Sequence, residues 1–271
     1  MNPHLPRREF LACSAAGGVA GALGISATGQ SAVAASVPGA KRELYELWLY
    51  LMTAGEMMKK ADVYFERALI PALRRAGTGP VGVFVESSQP DSPTVYALIP
   101  HAGWESPAAV AGALQNDAEY QKTGAAFLAA SPKQPAYVNH EARLMLAAAF
   151  MPAIEVPEKK TSRMFELRRY RNPSEAAFRK KLEMFATGEL TIFRRVGLNP
   201  VFFGEMLFGP DMFNITYMLT YPDGAARGKA WDTFRKDADW QKLRVTPGFT
   251  DPEIIANIKS LTLVPTAYSQ I

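Results

Sequence analysis

The chain has 271 residues, 48% of them apolar, with 30 basic and 26 acidic side chains and a formal net charge of +4. So mild an excess, with no basic run, argues against a nucleic-acid binder. A single cysteine, Cys13, excludes a disulfide framework and a thiolate metal centre.

The opening Pro6-Arg7-Arg8-Glu9-Phe10-Leu11 is followed by no charged residue up to Ala40. Paired arginines before a weakly apolar Ala/Gly/Ser run form the pattern of a twin-arginine export signal. Residues 1–35 are read as that signal, with Ala32-Val33-Ala34-Ala35 offering a cleavage site. A retained anchor is the alternative, but Gly17, Gly18, Gly21, Gly24 and Gly29 make the run poorly hydrophobic for a stable span. The expected address is the periplasm or the medium of a bacterium, with the twin-arginine translocase as a passing partner. Cleavage would leave 28 basic and 25 acidic residues, +3, and two histidines, His101 and His140. No cofactor or metal is expected from such an inventory.

Residues 43–50 alternate in side-chain type and predict a strand. A helix follows, capped within residues 53–56, with Met58, Phe65, Leu69, Leu73 and Ala76 on one face. Pro71 inside it predicts a kink. Strands at 81–86 and 94–100 flank the turn Pro90-Asp91-Ser92-Pro93. A second helix near 107–121 and a closing strand near 142–150 complete the set. After a Pro/Lys-rich linker at 155–161 the order starts again. It runs through a strand at 163–171, a helix introduced by Asn172-Pro173-Ser174-Glu175 with Asn172 as cap, and a stop at Gly197. Strands at 201–207 and 213–221 then flank Gly209-Pro210-Asp211, before a helix within 223–242 and a strand at 260–264.

The two series share an offset of 120 residues. Tyr45-Glu46-Leu47 meets Phe165-Glu166-Leu167, Arg74-Arg75-Ala76-Gly77 meets Arg194-Arg195-Val196-Gly197, and Asp117-Ala118-Glu119-Tyr120-Gln121-Lys122 meets Asp237-Ala238-Asp239-Trp240-Gln241-Lys242. So long a period marks duplicated domains rather than a solenoid. The expectation is an α+β protein with two tandem ferredoxin-like (βαββαβ) domains, 41–154 and 162–271. Each copy leaves one sheet face bare, so the two sheets should pack together as an intrachain pseudo-dimeric α+β barrel.

The stretches Met164–Arg171, NPVFFGEMLFGP, MFNITYMLTYPDGAARGKAW and DADWQKLR in the second copy resemble the NIPSNAP family, whose domains are ferredoxin-like α+β barrels. The resemblance covers the second copy, with Arg227 and Trp240 in place. The first copy diverges, with Trp48 where Arg168 stands and Tyr120 where Trp240 stands. It implies a fold but no reaction, because the family offers no agreed catalytic residues. The wider superfamily includes small monooxygenases and haem enzymes, an analogy of fold.

By period two, Glu46, Trp48 and Tyr50 share one strand face, as do Glu166, Arg168 and Tyr170. If those faces look into the barrel, two carboxylates, two phenols and a guanidinium converge there. They would then bind a polar ligand or supply a tuned acid or base; otherwise they are ion pairs and core filling. Tyr96 and Tyr217, in the third strands, are cavity aromatics or core. His101 is a ligand or general base, or a loop residue at a strand end. The paired arginines at 74–75 and 194–195 suit helix C-termini. Two functions stay open. One is binding of a small hydrophobic ligand or a protein partner between the sheets, with homo-oligomer formation allowed. The other is a cofactor-free or haem-dependent monooxygenase-like enzyme.

Overall fold

The computed structural model describes residues 41–88, 91–159 and 163–271. The expected export signal and its cleavage site lie outside the described residues, as do residues 160–162 at the end of the linker. The first series runs β1 (Leu44–Leu51), α1 (Glu56–Val63), a π-helical turn (Tyr64–Leu69), α2 (Ile70–Arg75), β2 (Gly82–Glu86) and β3 (Thr94–His101). It ends with α3 (Ser106–Asn116), α4 (Ala118–Thr123), α5 (Ala125–Leu128) and β4 (Asn139–Ala147). The second runs β5 (Met164–Arg171), α6 (Glu175–Met184), a π-helical turn (Phe185–Glu189), α7 (Leu190–Val196), β6 (Asn199–Phe208) and β7 (Asn214–Tyr221). It closes with α8 (Gly224–Lys236), α9 (Ala238–Leu243), α10 (Asp251–Ile254) and β8 (Asn257–Pro265).

The eight strands close into one antiparallel barrel in the order β1-β3-β2-β8-β5-β7-β6-β4. Within each half the order is 4-1-3-2. Two seams join the halves: β2 to β8, pairing Val85 with Val264, and β4 to β6, pairing Met145 with Met206. Strand alternation then assigns every residue to the lumen or to the helix layer. Tyr45, Leu47, Phe84, Leu98, Met145, Phe165, Phe202, Met218 and Leu263 form a lumen core drawn from both halves and are fully buried. The opposite faces carry two separate cores, one around Tyr50, Phe65 and Val83 and one around Tyr170, Phe185 and Tyr217, each covered by its own helices. At one end the lumen is closed by the segment after β8. Thr266 and Gln270 donate backbone N–H groups to Val83 and Val81, both at 2.9 Å, and the Ile271 side chain is buried inside.

Three local expectations are corrected. Ser174, not Asn172, caps α6, accepting the Ala177 N–H at 3.2 Å; Asn172 is buried and donates its amide to the Ile254 carbonyl. The cap expected within residues 53–56 is absent: Gly55 precedes α1 without a side-chain hydrogen bond. The helix irregularity attributed to Pro71 occurs in both halves, as π turns at Tyr64–Leu69 and Phe185–Glu189. Because the second half has no proline there, Pro71 is not its cause.

The repeated Asp-Ala-acid-aromatic-Gln-Lys stretch has a common purpose in both halves. Asp117 accepts the Tyr120 N–H at 2.9 Å and Asp237 the Trp240 N–H at 3.1 Å, so each ends one helix and caps the next. Each is also held by an arginine from the end of the preceding helix pair, Arg75 to Asp117 and Arg195 to Asp237, both at 2.7 Å. The aromatic of the motif, Tyr120 or Trp240, is buried beneath.

Candidate functional site

Glu166 is fully buried, and a carboxylate can be ionised in such a place only when its lone pairs are taken up. Six hydrogen bonds from described residues converge on it. Oε1 accepts from Arg168 Nη1 at 2.8 Å, Arg227 Nη2 at 2.7 Å and Ser260 Oγ at 2.6 Å. Oε2 accepts from Arg227 Nε at 3.0 Å, Trp231 Nε1 at 2.8 Å and the Tyr221 hydroxyl at 3.0 Å. The sequence places these donors around it. Arg168 is two residues along β5, Tyr221 ends β7, Ser260 lies across the β5–β8 ladder, and Arg227 with Trp231 is one turn apart on α8. Burial pushes the carboxyl upward, but the bonds from Arg227, Ser260 and Trp231 and the charge of Arg168 outweigh it and hold it down at about 2.

Arg168 is equally engaged. Its Nε donates to the Tyr217 hydroxyl at 2.9 Å and its Nη2 to the Tyr170 hydroxyl at 3.1 Å, while its guanidinium lies 4.4 Å from the Trp231 ring centroid. Beyond it a second buried pair, Lys181 Nζ to Glu189 Oε2 at 2.6 Å, crosses the π turn, with the ammonium 4.4 Å from the Phe185 ring centroid. Every polar group of this cluster has partners, so it orients side chains without a free acid or base. Its chemistry is that of an internal clamp between sheet and helices.

The expectation that Glu46, Tyr50, Glu166, Arg168 and Tyr170 converge inside the barrel is therefore overturned. The lumen face of β1 and β5 carries Tyr45, Leu47 and Leu49, and Phe165, Leu167 and Arg169. The other parity faces outward, where Tyr50 and Tyr170 belong to separate helix-covered cores. In the first half Glu46 meets His101 Nε2 at 3.3 Å and Tyr50 stacks on His140 with centroids 4.2 Å apart. His101 is the last residue of β3 rather than a loop residue, and it is buried with Nδ1 3.2 Å from Ser106 Oγ. With both ring nitrogens so engaged, it does not suit an axial haem ligand. Tyr96 and Tyr217 do not correspond: one residue off the offset means opposite faces, so Tyr96 faces the lumen and Tyr217 the helices. Among the described residues no cluster of three or more His, Cys, Asp or Glu is arranged to hold a metal.

What parity assigns to the lumen includes residues the motifs did not single out. At the end of the barrel where β1 and β5 finish, a cavity of about 560 Å³ opens between Leu49, Tyr96, Arg143, Leu167, Arg169 and Thr216, and extends along residues 258–261 of β8. Arg143 is paired with Glu141 at 2.6 Å and Arg169 with Asp211 at 2.7 Å. The signal for this site was present in the sequence: Arg169 stands at the offset of Leu49, a charge following the apolar Phe165 and Leu167 on the same strand face. Ile258, which lines the cavity, is exposed, as are Phe208, Met212 and Phe213 at the end of β6 and in the loop to β7.

Residues 165–270 match the family model described as NIPSNAP. Among solved structures, the chain is similar to a putative monooxygenase from Fusobacterium nucleatum, at 10% identity and a TM-score of 0.55, over 84% of this chain and 94% of that one. A putative monooxygenase from Lactobacillus acidophilus is similar at 9% identity and a TM-score of 0.54, over 83% and 94% of the two chains. A NIPSNAP family protein from Agrobacterium tumefaciens is similar at 17% identity and a TM-score of 0.37, over 43% of this chain and 97% of that one. No protein of curated function matches the sequence.

Proposed function

We propose, from the match of residues 165–270 to the NIPSNAP family model, that this chain is an exported bacterial protein whose tandem ferredoxin-like units form an intrachain pseudo-dimer that binds a small ligand with an apolar body. The ligand site is the open end of the barrel. One observation carries this reading: the lumen is packed solid at its middle by Phe84, Phe165, Phe202 and Met218 yet leaves about 560 Å³ unfilled at the end lined by Leu49, Leu167 and Leu261. That volume falls in the range of small-molecule sites, roughly 300–1,000 Å³. The Glu166 cluster is assigned a structural part, because a carboxylate held at about 2 by saturated hydrogen bonding is a poor proton acceptor at neutral pH.

The two larger structural neighbours are called putative monooxygenases, and at 10% and 9% identity they support the barrel fold alone. An oxygenase reading would use the same cavity, but no side chain in it is placed as an acid–base pair. Binding is tested with the neutral fluorophore N-phenyl-1-naphthylamine. The expected result is saturable one-to-one binding to the purified protein, weakened in Leu49→Trp, whose larger ring intrudes from the apolar wall. Linear, unsaturable fluorescence, or equal binding by Leu49→Trp, would remove the proposal.

A further inference from the structure

The open cavity has two chemically distinct walls. One is apolar, from Leu49, Leu167 and Leu261; the other is cationic, from Arg143, Arg169 and Lys259, and no acidic side chain lines it. Acids do stand nearby, but each is occupied. Glu141 accepts from Arg143, Asp211 pairs with Arg169, and Glu86 accepts the Thr94 N–H at 3.1 Å and the Tyr96 hydroxyl at 3.3 Å.

Arg169 is the unusual member. Its side chain is only 11% exposed, and its Nη1 is buried without a hydrogen-bond partner although Nη2 reaches Asp211. A buried charged donor left unpaired is unfavourable. The second half retains an arginine where the first half, at the equivalent position on β1, has Leu49. Packing alone is served by the leucine; the pair with Asp211 engages Nη2 of the arginine and leaves Nη1 without a partner among the described residues. Burial, and then the like charge of Arg143, lower the Arg169 pKa, which agrees with a pocket short of negative charge.

We infer that the cavity selects ligands with a carboxylate head: the head pairs with the guanidinium of Arg169, with Arg143 and Lys259 beside it, and a hydrocarbon or aromatic tail lies on the three leucines. This rests on the cavity being the binding site, as proposed above, and adds the class of ligand and the residue that discriminates it. A charge-assisted N–H···O bond in a partly dry pocket is stronger than a neutral one, so the acid should bind better than a neutral analogue of equal length.

The experiment compares octanoate, octanol and octylammonium by calorimetric titration of the intact protein and of Arg169→Leu. That substitution installs the residue of the other half, and its thermal unfolding is recorded alongside to confirm the fold. Wild type is expected to bind octanoate at least tenfold more tightly than octanol and not to bind octylammonium. Arg169→Leu should keep octanol binding and lose the tenfold preference. Equal binding of acid and alcohol by wild type overturns the carboxylate assignment while leaving the cavity intact. A preference that survives Arg169→Leu overturns the part given to Arg169. Absence of binding by all three overturns the cavity reading and this inference with it.

Discussion

Replacing Glu166 by Gln changes two heavy atoms' chemistry and no volume, yet it acts on a group with six donors around it. An amide has one oxygen to accept with, and its NH₂ group would face three of those donors. Arg168 and Arg227 would also keep their charges in a largely enclosed space without the counter-charge of Glu166. Removing one partner of a buried, hydrogen-bonded ion pair costs about 3–5 kcal/mol. A second route gives a similar size. A carboxyl held at about 2, against 4.5 when free, corresponds to about 3 kcal/mol of stability at neutral pH. Urea unfolding at pH 7 should therefore show a loss of roughly that amount, in a variant that still folds. The acid limb provides an independent check. Because the folded-state pKa is depressed, the contribution is complete above about 4.5 and disappears as pH falls towards about 2. The wild-type and Glu166→Gln stability curves should thus converge over that window. A loss below about 1 kcal/mol at pH 7, or curves that stay parallel through the acid limb, would refute the structural assignment of Glu166.

The Lys181–Glu189 pair offers a built-in comparison, since the first half carries Ala61 and Leu69 at the same positions. Lys181→Ala or Glu189→Leu alone should cost about 3 kcal/mol or more by stranding a buried charge, whereas the double variant should be less destabilised than either single one. Denaturant titration of the four proteins measures this, and strictly additive losses would contradict it. If residues 1–35 direct export by the twin-arginine route, Arg7→Lys with Arg8→Lys should hold full-length precursor in the cytoplasmic fraction; unchanged export would remove that address.

The repeated order of elements and most strand positions were legible because they rest on alternation and on an offset of 120 that survives in apolar and capping residues. Residues 94–100, for instance, differ from β3 by one position. Which face of β1 and β5 looks inward was not legible. Both parities carry aromatic and apolar side chains, since Tyr45, Leu47 and Leu49 face Trp48 and Tyr50 across the same strand. A period of two divides the residues into two sets without saying which set meets the helices. The deciding information was non-local. Arg227 and Trp231 lie on a helix some 60 residues away, and they supply three of the six hydrogen bonds that make the outward face tolerable for Glu166. The caps failed for a local reason: Asn172 and Ser174 are both competent acceptors two residues apart, and the demand of the buried Ile254 carbonyl took Asn172. Arg169 stands out only when it is set against Leu49 at the offset of 120 and the face is known to look inward.

The seam between β2 and β8 pairs Phe84 with Pro265 and Glu86 with Leu263, residues about 180 positions apart. A polypeptide emerging from the ribosome therefore cannot zip this edge until nearly all of it has been synthesised. Until then the first half must hold an uncovered apolar surface, with Tyr45, Leu47, Phe84 and Leu98 on it, beside an unpaired strand. Such a surface is a template for wrong pairings, and closure of so distant a contact is slow. Truncation within β8 should thus act through insolubility during biogenesis, even though most of the barrel's side chains would still be present.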